Sequence, residues 1–89
     1  MKDVIKVSTV AFNAKWGEKE RNLNRMTGYI EAAASEGSNI IIFPEMGLTG
    51  YDDEEDKPKL EKMQYKLAET VPGKSSEVIA ELTKKLGIY

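Results

Sequence analysis

The 89-residue sequence contains neither cysteine nor histidine. Without cysteine the chain cannot form a disulfide bond, and without either residue type it cannot build a zinc site from the usual Cys and His ligands. A Ser-His-Asp triad and a Cys-His pair are excluded for the same reason. We therefore predict neither a metal site nor a bound cofactor.

Long apolar segments and dense positive charge are also missing. No apolar run approaches the roughly 20 residues that a membrane span needs. The sequence has thirteen Lys and Arg and fifteen Asp and Glu, for a net charge of −2. No segment has the density of basic residues that binding to a nucleic-acid backbone requires. The first ten residues are interrupted by Asp3, Lys6 and Ser8, so they lack a signal peptide's apolar centre. We expect no membrane span, no nucleic-acid partner and a cytoplasmic location.

The stretch from Asn39 to Tyr51 organises the rest of the chain. It reads N-I-I-I-F-P-E-M-G-L-T-G-Y and begins with an apolar run, Ile40 to Phe43, that is typical of a buried strand. Pro44 ends the run because proline cannot donate to a sheet ladder. Glu45 follows at once, and in open α/β folds ligands bind at the carboxyl ends of the strands. Glu45 is therefore a candidate site residue, although a solvated glutamate at a strand end explains the pattern equally well.

The segments before this stretch predict a strand–helix–strand unit. Residues 4–12 have the character of a strand with two largely apolar faces. Residues 18–36 predict a helix, because Leu23, Met26, Ile30 and Ala33 recur at spacings of three and four. Gly37 is a typical left-handed helix stop. Because βαβ units are almost always right-handed, we predict parallel strands with the helix on one face.

Two more helices and a third strand are predicted after residue 51. Residues 59–69 have apolar positions at helical spacing, and Val71-Pro72-Gly73 indicates a turn. Ser75 or Ser76 is expected to cap a last helix that runs to about Leu86. Ile88 and Tyr89 have the character of the first residues of a third strand.

Five consecutive carboxylates occupy residues 52–56. A calcium loop of the EF-hand type needs alternating ligands, a glycine and a distant glutamate, and this spacing does not supply them. We interpret the run as a solvated loop.

The motif F-P-E-M-G-L-T-G-Y, residues 43–51, resembles the glutamate motif of the nitrilase, or carbon-nitrogen hydrolase, superfamily. The opening strand, the alanine-rich helix, the V-P-G turn and the final L-G-I-Y are also similar to the first third of that family. The resemblance covers essentially all of residues 1–89 and implies a single partial domain that stops before its third strand is complete. It implies an α/β fold, the N-terminal portion of a nitrilase-like α-β-β-α sandwich with further helices on one face of the sheet.

In that family a cysteine thiolate attacks an amide or nitrile, a glutamate acts as base and a lysine stabilises the oxyanion. A thiol with a pKa of about 8.5 benefits from a neighbouring base, and a glutamate near 4.3 is a weak base unless desolvation raises its pKa. The resemblance implies that Glu45 is the catalytic glutamate and that Tyr51 lines the substrate pocket; packing under the loop explains Tyr51 equally well. The cysteine and the lysine belong to motifs beyond residue 89.

Three hypotheses follow. The first is a fragment of a carbon-nitrogen hydrolase that carries only the catalytic glutamate and is inactive alone. The second is a small non-catalytic α/β interaction or binding module, and the third is an unrelated α/β domain in which Glu45 is a surface carboxylate. Under the first, we expect Glu45 within two residues of the carboxyl end of the second strand, on the same sheet edge as Asn13. We also expect self-association into a homo-oligomer, because the second sheet of the sandwich is missing.

Overall fold

Two short strands and two helices form the regular structure of residues 4–50 and 67–89, which are the residues that the computed structural model describes. In chain order they are β1 (Val7–Thr9), α1 (Lys19–Ser35), β2 (Ile40–Ile42) and α2 (Lys74–Leu86). Strands and helices therefore alternate as predicted, and the fold class is α/β. Tyr51, the acidic run at 52–56 and most of the helix predicted for 59–69 lie outside the described residues.

The two strands pair in parallel, as the sequence predicts. Val7 lies opposite Ile40 and Thr9 opposite Ile42. Tyr89 continues the sheet on the other side of β2: its N–H donates to the Asn39 oxygen at 2.9 Å and its oxygen accepts from the Ile41 N–H at 2.8 Å. The third strand itself stays a prediction, since the described sheet has two strands, β1 and β2.

The first strand is shorter than the predicted span of residues 4–12. Regular pairing can extend only as far as the partner strand, and β2 has three residues. Single hydrogen bonds continue on both sides of the ladder, from the Asn39 N–H to the Lys6 oxygen and from the Val10 N–H to the Ile42 oxygen. Pro44 limits further pairing because it has no N–H.

Helix α1 agrees with its prediction to within one residue at each end. Its predicted apolar stripe is buried, and Ile30 is completely inaccessible to solvent. At its end Gly37 has a φ of 82°. The Gly37 N–H donates to the Ala34 oxygen and the Ser38 N–H to the Ala33 oxygen. This is the pairing of a Schellman stop, which the glycine predicted.

Helix α2 begins earlier than the capping serines predicted. Gly73 occupies the N-cap, and its N–H donates to Ser76 Oγ at 2.8 Å. Ser75 lies inside the first turn and its hydroxyl bonds elsewhere, so neither serine is the N-cap residue. Gly87, with a φ of 69°, ends the helix as predicted.

Both helices cover the same face of the sheet. The core is built from Ile30, Ala33 and Ile88, and the partly buried residues packed against it come from α1, β2 and its end, and α2. These partly buried residues are Ala34, Ile41, Phe43, Ile79 and Leu82. The opposite face carries Ile5, Val7 and Ile42, which are 60%, 49% and 52% exposed. We call this surface, residues 5, 7, 9, 40 and 42, the open sheet face. Apolar residues of both strands are therefore exposed on this face, as expected when the second sheet of the sandwich is missing.

Candidate functional site

Glu45 lies in a turn directly after β2. It follows Ile42 by three residues, one more than predicted, because Phe43 lies beyond the ladder. The expected sheet edge is confirmed. A shallow cavity of about 200 Å³ is lined by residues 12–14 from the loop after β1 and by residues 44–47 and Gly50 from the turn. A carboxylate and the loop at Asn13 thus meet at the carboxyl ends of two parallel strands.

The turn that carries Glu45 has an unusual backbone. Met46 has a φ of 59°, a left-handed conformation that non-glycine residues adopt at a cost of about 1–2 kcal/mol. The Gly47 N–H donates to the Pro44 oxygen at 3.2 Å and the Gly50 N–H to the Met46 oxygen at 2.7 Å. The surrounding contacts must hold this conformation, and such strain is typical of functional sites.

Two contacts join the turn to the loop before α1. The Gly17 N–H donates to the Thr49 oxygen at 2.8 Å. The side chain of Asn22, which is completely buried, bonds to Leu48 in the turn and to Lys15 in the loop. The position of Glu45 thus depends on residues that lie more than twenty positions earlier in the chain.

An aromatic cluster packs beside the cavity. The Phe12 ring lies 5.6 Å from the Tyr29 ring and 6.4 Å, edge-on, from the Phe43 ring. The Arg25 guanidinium lies 4.8 Å from the Phe12 ring centroid and donates to the Asn13 oxygen at 2.9 Å. The cation–π contact and the hydrogen bond together hold the Asn13 side of the cavity.

A second polar cluster ties α1 to the segment before α2. Lys19 Nζ lies 2.6 Å from Glu69 Oε2 and donates to the Leu67 oxygen at 2.7 Å. Glu69 also accepts from the Ser75 hydroxyl at 2.5 Å and from the Ser75 N–H at 2.7 Å. The hydrogen bond from Lys19, then those from Ser75, lower the pKa of Glu69 from 4.5 to about 2. Since this carboxylate already has three donors, we assign the cluster to stability.

We expect Glu69 to make the fold sensitive to acid. Because its pKa is lowered in the folded state, its stabilisation is fully present above about pH 4.5 and is lost as the pH falls toward about 2. Urea unfolding as a function of pH should therefore show a steeper loss between these values for the wild type than for Glu69→Gln.

Glu20→Gln is the matched control for this prediction. It removes a carboxylate that is 84% exposed and whose ion pair with Lys74 is solvent-screened. It should keep the acid dependence of the wild type. Equal pH profiles for the wild type and Glu69→Gln would contradict the assignment.

Sequence reasoning missed the residues that hold the candidate site. Asn22 and Arg25 were not predicted, and neither was the separate Lys19–Glu69–Ser75 cluster that stabilises the fold. A signal for Asn22 was present: it precedes Met26 and Ile30 at spacings of four on the buried stripe of α1. A polar side chain on such a stripe must find hydrogen-bond partners. The other contacts join distant segments and leave no local pattern.

Comparison with known proteins agrees with the resemblance. The sequence model of the carbon-nitrogen hydrolase family matches residues 6–89. The omega-amidase NIT2 of Xenopus tropicalis is 34% identical over 71 residues, which are 80% of this chain and 23% of that protein. A nitrilase of Pyrococcus abyssi is 24% identical over 87 residues, 97% of this chain and 31% of that protein. The chain therefore spans about a quarter to a third of the length of these relatives.

Among residues 4–50 and 67–89 no helix combines the length and apolarity of a membrane span. The same residues contain no group of three His, Cys, Asp or Glu side chains placed to hold a metal ion.

Proposed function

Because this chain belongs to the carbon-nitrogen hydrolase family, we propose that it is the N-terminal part of an enzyme that hydrolyses the C–N bond of a small amide or nitrile. In this proposal Glu45 is the general base. The observation that carries it is the place of Glu45, after β2 and in the lining of the cavity that the Asn13 loop completes.

The chemistry requires partners for this base. A carboxylate can take the proton of a thiol and later that of a water molecule, but the nucleophile must come from elsewhere, since the 89 residues contain no cysteine. We include in the proposal that a cysteine and an oxyanion-stabilising lysine are supplied by further chain, and that the isolated 89 residues are inactive. Tyr51 remains part of the proposal as a pocket residue. The test is whether this chain supplies a working base to an amidase that lacks its own matching segment.

The proposal extends to architecture and location. Two helices on one face of a parallel sheet are what one half of an α-β-β-α sandwich contains, so we propose that a second sheet covers the open sheet face in the complete domain. A cytoplasmic location is also part of the proposal.

The open sheet face also supports self-association of the 89-residue chain. Three of its residues, Ile5, Val7 and Ile42, are about half exposed and uncharged. Large apolar patches usually mark an interface. Covering on the order of 500 Å² per chain would contribute on the order of 12 kcal/mol before association costs. We propose a twofold dimer in which the two open sheet faces pack together.

Light scattering after size exclusion at tens of micromolar should give the mass of a dimer. Ile42→Lys places a charge on the face, at the end of β2, and should weaken association by at least roughly 30-fold. Val71→Lys is the matched control, because Val71 is 86% exposed and lies away from the sheet; it should remain dimeric. A wild-type monomer that binds no hydrophobic dye would contradict the dimer.

The non-catalytic interaction module remains the alternative function, and the same open sheet face favours it. In that case Glu45 would contribute nothing to hydrolysis in any context.

A further inference from the structure

Asn22 is a fully buried polar side chain. It lies in the first turn of α1 and its exposure is 0%. Its Oδ1 accepts from the Lys15 N–H at 2.9 Å, and its Nδ2 donates to the Lys15 oxygen at 2.8 Å and to the Leu48 oxygen at 2.9 Å. One amide thus pairs with both backbone groups of the loop residue and with the turn that carries Glu45.

This set of bonds fits an amide and no other side chain of similar size. Aspartate can accept from the Lys15 N–H but has no proton for the two carbonyl oxygens, and leucine has neither function. In Asn22→Asp the Leu48 oxygen would lose this donor, whereas the Lys15 oxygen would keep the Glu18 N–H at 3.1 Å. The hydrogen bonds therefore favour asparagine at position 22, and its amide ties Leu48 to the start of α1.

Leu48 and Glu45 belong to the same hydrogen-bonded turn, residues 44–50, so the bond to Leu48 also restrains Glu45. Leu48 is three residues after Glu45, and the intervening backbone is tied together by the bonds from Gly47 to Pro44 and from Gly50 to Met46. The left-handed Met46 lies between them and needs external contacts to persist. The Asn22 amide and the bond between Gly17 and Thr49 are two of the contacts on the helix side of this unit.

We propose that Asn22 is a positioning residue for Glu45: its buried amide fastens the 44–50 turn to the start of α1 and so sets the place of the carboxylate at the cavity. The catalytic meaning of this inference rests on the proposed role of Glu45 as general base. The hydrogen-bonded attachment of the turn to α1 does not depend on that role. It can be tested without any measurement of hydrolysis.

Amide hydrogen exchange on the 89-residue chain tests the fastening. In the wild type the Asn22 side-chain NH₂ protons should exchange at least roughly tenfold more slowly than those of Asn24, which is exposed on the same helix. In Asn22→Asp the protection of the Gly17 and Gly50 N–H groups should fall roughly tenfold to a hundredfold. The amide of Ile30 in the middle of α1 should keep its protection, and the carboxyl ¹³C resonance of Glu45 should move.

Asn24→Asp is the matched control, since it makes the same chemical change on the exposed side of α1, and it should leave all these signals unchanged. If Asn22→Asp lowers hydrogen-exchange protection equally at all amides and leaves the Glu45 resonance unmoved, Asn22 only stabilises the fold as a whole. That result would overturn the proposal. If Asn22→Asp does not fold, the wild-type measurement decides: Asn22 protons that exchange as fast as those of Asn24 overturn it. Glu45 could be shown not to act as a base while the exchange and resonance results stay as expected. That outcome would contradict the proposed role of Glu45, but not the attachment of its turn by Asn22.

Discussion

Replacing Glu45 by glutamine is expected to slow amide hydrolysis by roughly 100- to 10,000-fold in a chimera where this chain substitutes for the matching segment of the Xenopus tropicalis omega-amidase. A positioned general base contributes a factor of this size, and glutamine keeps the shape of the side chain but cannot take a proton. Steady-state hydrolysis of the amide that the parent enzyme cleaves measures the effect. We expect kcat to fall with KM nearly unchanged, because the base acts in the chemical step.

Two comparisons make this experiment decisive. Glu31→Gln removes an exposed carboxylate from α1 and should leave the chimera's rate unchanged. The isolated 89-residue chain should show no turnover above background, since it has no thiol nucleophile. A chimera that keeps more than a tenth of its rate in Glu45→Gln, or that folds without activity, would contradict the assignment of Glu45 as base.

Gly50→Ala is expected to destabilise the fold by about 2–5 kcal/mol, a large part of a small domain's stability. Gly50 has a φ of 81°, where an alanine is strained by about 1–2 kcal/mol. Its new Cβ would also lie 2.9 Å from Trp16 Cα and 3.1 Å from the Ala14 oxygen. Moving this backbone apart adds about 1–3 kcal/mol and opens the contact between the Glu45 turn and the loop. Urea unfolding measures the loss.

Alanine substitutions at two other glycines distinguish the cost of backbone strain from the cost of steric crowding. Gly37 has a nearly identical φ of 82° with nothing within 4 Å of an added Cβ. Gly37→Ala should therefore cost only the strain, about 1–2 kcal/mol. Gly28 is helical, exposed and equally open, so it is not needed for close packing on the sheet; Gly28→Ala should stabilise by up to about 1 kcal/mol. Equal losses for Gly50→Ala and Gly37→Ala would show that the turn does not press on Trp16.

Elements governed by local chemistry were predicted closely. The bounds of α1 follow from its apolar spacing and from Gly37, whose left-handed backbone supplies the helix stop. The parallel pairing follows from the strand–helix–strand order. The family was predicted from the short motif at residues 43–51, and the match of the carbon-nitrogen hydrolase family to residues 6–89 confirms it.

The strand length was predicted poorly, because a strand's pairing depends on a partner elsewhere in the chain. Residues 4–12 have strand character throughout, yet the ladder has the three residues that β2 can match. The cap of α2 was also misplaced. Ser75 is a good N-cap residue by type, but Glu69 binds its hydroxyl, and Gly73 takes the N-cap position.

By itself, the sequence determined the α/β class, the family and the place of Glu45 after a strand, since each depends on residues within a few positions of one another. Only the tertiary structure decided what holds that glutamate. Its turn is contacted by the amide of Asn22 and by the backbone of Trp16, and the facing loop is contacted by the guanidinium of Arg25. Such contacts depend on how α1 packs against the sheet edge. The spacing of residues along the chain does not predict which distant groups this packing brings within hydrogen-bond distance.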